Sequence, residues 1–265
     1  MPVSDTAGDA DRVDDRTAER VGEDGALPVN ELFCSLQGEG KLAGVPSAFV
    51  RTSGCNLRCW FCDSYHTSWE PTHAWVGLEE IVAEVESHAV DHVVLTGGEP
   101  LIHDSSADLL AELARRGYHT TVETNGTIYR DAPIDLASIS PKLANSTPTP
   151  DRTPTNDGAG DWESRHEDAR IDLEALSKLV ESTAFQLKFV VTGEDDMAEI
   201  LELLSALRDA TDATIRDEDV LLMPEGATRE RLAETRTRVA ELALAHGFRY
   251  TPRLHVDLWN DAPER

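Results

Sequence analysis

The chain has 265 residues, enough for one large domain or two small ones, and 40% of them are hydrophobic, enough to bury a core. No apolar run reaches the roughly 18–20 residues of a spanning helix and no signal-peptide pattern is evident, which excludes a membrane protein and predicts a cytoplasmic one. The formal net charge is −26, with 50 acidic against 24 basic residues, which excludes a direct grip on a nucleic-acid backbone.

The same charge is typical of a protein that works in concentrated salt, where ions screen the repulsion between carboxylates. Only four of the basic residues are lysines, which fits that interpretation. An acidic protein of an ordinary cytosol is the alternative.

Residues 1–26 are highly charged and have almost no large apolar side chains, so they predict a disordered acidic tail before a domain that spans 27–265. Strand and helix patterns then alternate. The predicted strands are Val29–Ser35, Ser47–Arg51, His92–Thr96, His119–Glu123, Asp135–Ser140, Phe185–Val191 and Val220–Met223. The predicted helices are Leu78–His88, Ser105–Arg116, Leu173–Glu181, Met197–Ala210 and Arg229–His246, and a last stretch runs through Tyr250–Leu258.

This alternation predicts an α/β fold, a parallel sheet with outer helices whose roughly six βα units make an incomplete (partial) TIM-type barrel. Polar clusters follow four strands, as the sequences TGGEP, ETNG, SPK and MPEG. Ligands bind at the carboxyl ends of parallel strands, so this edge is the predicted active face. Residues 145–169, rich in Thr, Pro, Asp and Gly, predict an exposed acidic insertion.

Three of the four cysteines, Cys55, Cys59 and Cys62, form a C-x3-C-x2-C pattern. Thiolates at this spacing can hold three corners of a 4Fe-4S cluster and leave the fourth iron open. A zinc site with His66 as the fourth ligand is the alternative, although zinc usually uses paired C-x2-C knuckles and the chain has no second one. Cys34 lies in an apolar strand and is predicted to be a small core residue.

Two motifs together resemble the radical S-adenosylmethionine (SAM) superfamily: C-x3-C-x-aromatic-C, with Phe61 as the aromatic residue, and Gly97-Gly98-Glu99-Pro100 about 35 residues later. Upstream, the hexapeptide Ser35–Gly40 (SLQGEG) and the tripeptide Phe49-Val50-Arg51 make the chain similar to the 7-carboxy-7-deazaguanine synthases of the queuosine and archaeosine pathway. The similarity begins near Leu27 and is poor over the insertion. It implies a lyase that converts 6-carboxy-5,6,7,8-tetrahydropterin to 7-carboxy-7-deazaguanine with loss of ammonia.

The resemblance also implies roles for individual residues. Cys55, Cys59 and Cys62 would ligate the cluster, and Ser64 stands where the family usually has a threonine that holds Mg2+. The residues implied to bind SAM are Phe61, Asp63, Gly98, Glu123, Ser140, Pro141, Lys142, Met223, Pro224, Glu225 and Gly226. The residues implied to contact the pterin are Leu36, Gln37, Gly38, Glu39, Arg51, Thr96 and His255.

Three of these residues have simpler alternatives. Lys142 could be a solvated surface lysine, Arg51 could pair with a structural glutamate, and His255 could be an ordinary strand histidine. If the roles implied by the resemblance hold, the Lys142 ammonium suits the SAM carboxylate and the Arg51 guanidinium suits the 6-carboxylate of the pterin.

The family further implies an unidentified electron donor and a homodimer. Two rival functions remain open: a radical SAM activase that makes a glycyl radical on a partner protein, and a non-catalytic iron-sulfur or zinc module that binds a partner. The SLQGEG hexapeptide favours the small-molecule enzyme over the activase, and a binding module leaves GGEP and SPK without a role. The sequence does not distinguish archaeosine from queuosine as the end product, although a salt-adapted origin favours archaeosine.

Overall fold

The computed structural model describes residues 25–154 and 159–260. Its strands are β1 (Ala26–Leu36), β2 (Pro46–Thr52), β3 (Ala74–Gly77), β4 (His92–Gly97), β5 (His119–Thr124), β6 (Leu136–Ile139), β7 (Phe185–Val191), β8 (Val220–Pro224) and β9 (Arg249–Tyr250). Its α-helices are α1 (Tyr65–Ser68), α2 (Leu78–Ser87), α3 (Ser105–Arg115), α4 (Trp162–Ala169), α5 (Leu173–Ser182), α6 (Asp196–Ala210), α7 (Arg229–His246) and α8 (Leu254–Trp259).

The strands form one sheet in the order β3-β1-β2-β4-β5-β6-β7-β8-β9. From β2 to β9 every neighbouring pair is parallel, whereas β1 is antiparallel to both β2 and β3. In the described part of the chain, β3 and β9 end the sheet without pairing with each other, so the barrel is not closed. The predicted α/β partial barrel is confirmed.

The first predicted strand does not belong to the parallel series. It forms a hairpin with β2, because the intervening turn is closed by hydrogen bonds from the Gln37 amide to Val45 O at 2.8 Å and from the Gly44 amide to Gln37 O at 2.7 Å. A connection this short allows only antiparallel pairing, since a parallel crossover needs a dozen or more residues. The hairpin adds an antiparallel edge to the sheet.

The core lies between the sheet and the helices around it. Central strands are buried on both faces, as for Val93, Val94 and Leu95 of β4, which explains their unbroken apolar runs. The helices instead bury one stripe of side chains, such as Leu109 and Leu113 of α3. Among the helices of the described ranges, none is both long and apolar enough to cross a membrane.

The segment at 145–169 is less exposed than predicted. It contains α4, and the side chains of Ser146 and His166 have no solvent exposure. Polar residues can be buried in this way when they satisfy one another's hydrogen bonds, a pattern that hydropathy alone does not detect. The predicted tail lies outside the described residues except for Gly25 and Ala26, and Ala26 begins β1.

Candidate active site

The carboxyl ends of the parallel strands surround a cavity of about 700 Å3, a size typical of small-molecule sites. Every residue that the sequence analysis named for the cluster, Mg2+, SAM or the pterin lines this cavity, apart from Pro141 and Pro224. Those two prolines are buried at strand ends without reaching the cavity wall. The fold therefore gathers motifs from 36 to 255 at the predicted active face.

The cysteine loop, defined here as residues 54–63, is anchored by hydrogen bonds on both sides. The Gly54 amide donates to Thr67 O at 2.8 Å, and the Trp69 indole donates to Cys59 O at 2.9 Å. The Ser68 hydroxyl lies 3.4 Å from Cys62 Sγ as a donor. Thr67 and Ser68 of helix α1 thus hold the cysteine loop in place through hydrogen bonds.

The three thiols of this loop suit an iron-sulfur cluster. Burial raises the pKa of Cys55 to about 12 and also raises the pKa of Cys59 and of Cys62, so their thiolates need a strong positive charge, which bound iron supplies. Within the described residues, no three His, Cys, Asp or Glu side chains converge on a point where one metal ion could bind. The zinc alternative needs such convergence, whereas a cubane takes each thiolate to a different iron.

The GGEP turn packs directly against the cysteine loop. The Gly98 amide donates to Thr52 O at 3.0 Å and the Glu99 amide donates to Gly54 O at 2.8 Å. A Cβ atom on Gly98 would lie 2.1 Å from Gly54 O, so only glycine allows this approach of two main chains. The turn thereby exposes the Gly98 main chain to the cavity beside the cysteines.

Glu99 fastens two strand ends and does not line the cavity. Its fully buried carboxylate accepts hydrogen bonds from Thr124 Oγ1 at 2.9 Å, from the Asn125 amide at 2.6 Å and from the Leu101 amide at 3.0 Å. Burial raises the pKa of Glu99 to about 7, and these hydrogen bonds act against the rise. The acidic residue of GGEP therefore ties the end of β4 to the end of β5.

A buried network of charges lines the same cavity. Glu39 lies 2.5 Å from Lys188 Nζ and 3.0 Å from Arg253 Nε, and Arg253 also pairs with Asp63 of the cysteine loop. Burial by itself would raise the pKa of Glu39, but Lys188 and then Arg253 outweigh that effect and hold the pKa far below its usual range. Glu39 is therefore an anion inside the cavity.

Sequence reasoning missed both cations of this network. Lys188 interrupts the apolar run FQLKFVV of a central strand, and a lysine there was the available signal, since buried lysines are rare unless paired. Arg253 precedes His255 by two residues in the last predicted stretch, but nothing local marks it.

Glu123 groups with residues implied for the pterin, although the resemblance implied a SAM contact. Its carboxylate accepts hydrogen bonds from Gln37 Nε2 at 3.2 Å and Thr96 Oγ1 at 2.7 Å. Gln37 and Thr96 are buried. The three side chains form one polar wall that links β1, β4 and β5.

Arg51 takes part in the ion pair that was its simpler alternative, and it still lines the cavity. Its Nε lies 2.8 Å from Glu31 Oε2, and its Nη1 donates to Ser64 Oγ at 2.9 Å. The guanidinium also lies over the ring of Phe33. Arg51 thus connects the hairpin to the residue implied for Mg2+.

Lys142 and His255 differ from their simpler alternatives. The Lys142 ammonium bends back to donate to Ser140 O at 2.7 Å and Ser140 Oγ at 2.8 Å, so the side chain is part-buried at the cavity wall. His255 lies in helix α8 and not in a strand. A Cβ on Gly38 would lie 1.9 Å from His255 Nδ1, so the glycine lets α8 close over the hairpin turn.

The remaining residues implied for SAM line the cavity beside this wall. Phe61 packs edge-on against Trp60, and Met223 is buried at the end of β8. Glu225 Oε2 accepts a hydrogen bond from Arg231 Nε at 2.7 Å, and Gly226 O accepts one from Arg253 Nη1 at 2.6 Å. Leu36 ends β1 at the cavity mouth.

Comparison with known proteins agrees with this geometry. Residues 49–152 match the Radical SAM superfamily. A protein of Halobacterium salinarum named 7-carboxy-7-deazaguanine synthase is 63% identical over 265 residues, covering all of both chains. A protein of the same name from Rhodopirellula baltica is 39% identical over 247 residues, 91% of each chain.

A solved structure supports the same assignment. The crystal structure of QueE from Escherichia coli superposes with a TM-score of 0.62 at 27% identity, covering 87% of this chain and 95% of that one. The cysteine loop, the GGEP turn and the polar cavity are thus found in a chain that is similar over its full length to enzymes of one activity. The chain belongs to the 7-carboxy-7-deazaguanine synthase family of radical SAM enzymes.

Proposed function

We propose that this chain converts 6-carboxy-5,6,7,8-tetrahydropterin to 7-carboxy-7-deazaguanine with release of ammonia. The observation that carries the proposal is that one cavity is lined both by the three cysteine thiols and by the Glu39–Lys188–Arg253 network. The thiols suit the cluster of a radical enzyme, and the charge network suits a small polar heterocycle. The homologues' shared name supports the reaction.

The residues near the cysteine loop would hold the two cofactors. Bound together, a 4Fe-4S cluster and SAM supply the hydrogen-abstracting radical chemistry of the family. Cys55, Cys59 and Cys62 are the proposed cluster ligands. For SAM, the Gly98 main chain and the Ser140 hydroxyl can bind polar groups, and the Lys142 ammonium can bind its carboxylate.

The residues around the charge network would orient the pterin. Its ring edge carries paired donors and acceptors, which the ionised Glu39 carboxylate and the Gln37 amide complement. Glu123 accepts a hydrogen bond from Gln37 and is itself held by Thr96. Arg51 is the proposed cation for the 6-carboxylate, because it lines the cavity with Nη1 beside Ser64.

We include Mg2+ in the proposal, with Ser64 Oγ as its protein ligand. Mg2+ often binds through one or two protein oxygens and completes its octahedron with substrate and water. In a titration of product formation against Mg2+, we expect Ser64→Thr to behave like the unchanged protein and Ser64→Ala to need about tenfold more Mg2+. Equal product formation in EDTA and in Mg2+ would contradict this ligand.

The electron donor, the homodimer and the cytoplasmic location remain part of the proposal. A cluster at the cavity requires a one-electron donor, and its chemical class is not defined by this chain. We expect sedimentation of the reconstituted protein in high salt to give the mass of a dimer, and the mass of one chain would contradict the dimer.

The activity test uses anaerobic reconstitution with iron and sulfide, then SAM, dithionite, Mg2+ and the tetrahydropterin in high salt. We expect mass spectrometry to detect 7-carboxy-7-deazaguanine, and Cys59→Ala to abolish it. If SAM is cleaved to 5′-deoxyadenosine but no deazapurine forms, the substrate assignment is wrong and the activase becomes the better hypothesis. If an intact cluster gives neither product, the non-catalytic module is favoured.

A further inference from the structure

The polar segment after β6 is hydrogen-bonded to the cysteine loop, although none of its residues beyond Lys142 has been given a role in the reaction. We name residues 143–154 and 159–170 together the brace segment. It has few apolar residues, yet Ser146 and His166 are wholly buried. Both residues accept hydrogen bonds from main-chain amides of the cysteine loop.

His166 joins this segment to the loop through one ring nitrogen and bonds within the segment through the other. Its Nδ1 accepts a hydrogen bond from the Arg58 amide at 3.1 Å, and its Nε2 lies 2.9 Å from Ser146 Oγ. Ser146 Oγ already donates to Leu143 O at 2.6 Å, so its oxygen is left to accept from His166. The neutral ring with the proton on Nε2 satisfies every one of these atoms.

Trp60, on the other side of Cys59, is held by the same segment. The Trp60 amide donates to Ser146 O at 3.1 Å, and its indole donates to Asn145 O at 2.7 Å. The Arg58 guanidinium stacks over the ring of Trp162 in α4 at 4.2 Å. Both residues that flank Cys59 are therefore hydrogen-bonded through their main-chain amides to the brace segment.

We propose that the brace segment holds the Cys59 part of the cysteine loop in its cluster-binding shape, with His166 as the positioning residue. The inference rests on the proposed cluster site. If the main chain around Cys59 is already ordered, cluster binding does not have to lose that conformational entropy. The same hydrogen bonds slow the opening of the loop through which iron is lost. Partners of ligand residues commonly change metal affinity by about 10–100-fold.

The test compares the full-length protein with His166→Ala, His166→Asn and the control Ser164→Ala, an exposed change on the same helix. In the cluster-free proteins, hydrogen exchange is followed in peptides that contain the Arg58 and Trp60 amides. In the reconstituted proteins, the loss of cluster absorbance is timed in anaerobic EDTA. We expect His166→Ala to raise both rates about tenfold or more.

The conservative variant separates positioning from general stability. Asparagine can accept from the Arg58 amide in place of Nδ1, so His166→Asn is expected to recover most of the protection, and Ser164→Ala should match the unchanged protein. If His166→Ala fails to fold, Trp162→Ala, which removes the stacking on Arg58, is measured in its place. Rates in the alanine variant equal to those of Ser164→Ala would overturn the inference.

The two readouts distinguish this inference from the proposed function. If the unchanged protein takes up no cluster, the cluster site is wrong, while hydrogen exchange still decides whether the brace segment orders the loop. If exchange rises in His166→Ala but the cluster is lost at the unchanged rate, the role in holding the cluster is overturned. Cluster uptake without deazapurine formation rejects the substrate, and the two rates in His166→Ala still decide the role of the brace segment.

Discussion

Glu39 carries its charge inside the cavity because Lys188 and Arg253 lie within 3.0 Å of its two carboxylate oxygens. The Lys188 and Glu39 side chains are 6% and 12% exposed, so neither ion is compensated by water. In such a network the cost of removing one cation exceeds the worth of the pair itself, because a buried carboxylate is left with less positive charge than it needs.

We expect Lys188→Met to lower the free energy of unfolding by up to about 3–5 kcal/mol, because Glu39 then keeps only the Arg253 that it shares with Asp63. Denaturant unfolding in high salt measures the change. Adding Glu39→Gln to this variant should recover part of the loss. The matched control is Lys178→Met, whose pair with Glu174 is exposed and should contribute about 1 kcal/mol or less. Equal losses in the two lysine variants would contradict a buried charge network.

Gly98 is the second residue whose substitution has a defined outcome. We expect Gly98→Ala to destabilise the protein by about 1–3 kcal/mol and to weaken SAM binding, because its Cβ would meet Gly54 O at 2.1 Å and push the GGEP turn from the cysteine loop. Calorimetry and equilibrium dialysis measure the two effects. Gly193→Ala is the control, since no atom lies within 4 Å of its Cβ position. Equal stability and equal SAM binding in the two variants would show that the GGEP turn can accommodate a Cβ atom at position 98.

At the scale of elements, His92 links three neighbouring strands at the end of the sheet away from the cavity. Its Nδ1 lies 2.5 Å from Ser47 Oγ of β2, and its Nε2 lies 2.8 Å from Thr121 Oγ1 of β5. Burial, and then the adjacent His119, lowers the pKa of His92 to about 4. The folded protein therefore holds this ring neutral at pH values where the unfolded chain protonates it.

This pKa predicts a loss of stability on the acid side. A histidine whose folded pKa lies below its unfolded value of about 6.5 contributes fully above pH 6.5, and the contribution is lost as the pH falls toward 4. Between pH 6.5 and pH 4 we expect the free energy of unfolding to fall by up to about 3 kcal/mol more in the unchanged protein than in His92→Gln, because glutamine does not titrate. Denaturant unfolding at several pH values measures how the free energy of unfolding changes with pH in each protein. The same dependence on pH in the two proteins would rule out this role for His92.

For the whole molecule, the net charge of −26 sets the response to salt. We expect the melting temperature to rise between about 0.1 M and 1 M KCl, because the Debye length falls from roughly 10 Å to 3 Å and screens the carboxylates from one another. A non-ionic solute at equal osmolality is the control for general effects on hydration. A melting temperature that stays flat or falls in KCl would contradict salt adaptation.

The sequence alone determined the features that depend on residues near one another in the chain. Apolar periodicity and Gly/Pro turns predicted strand β7 and helix α7 with their observed ends, because neighbouring side chains decide which local backbone is stable. The cysteine spacing and the GGEP turn are likewise local patterns, and they indicated the chemistry and the family. The short elements β3, α1 and α4 were missed, since four to eight residues carry little periodic signal.

The tertiary structure alone decided which distant residues meet. Lys188 and Glu39 are 149 positions apart, and the brace contact between His166 and Arg58 spans 108. The burial of His166 also depends on how strands and loops stack in space. Local sequence does not encode such contacts, because each partner's solvation and charge state is set by a neighbour that only the completed sheet brings within hydrogen-bonding distance.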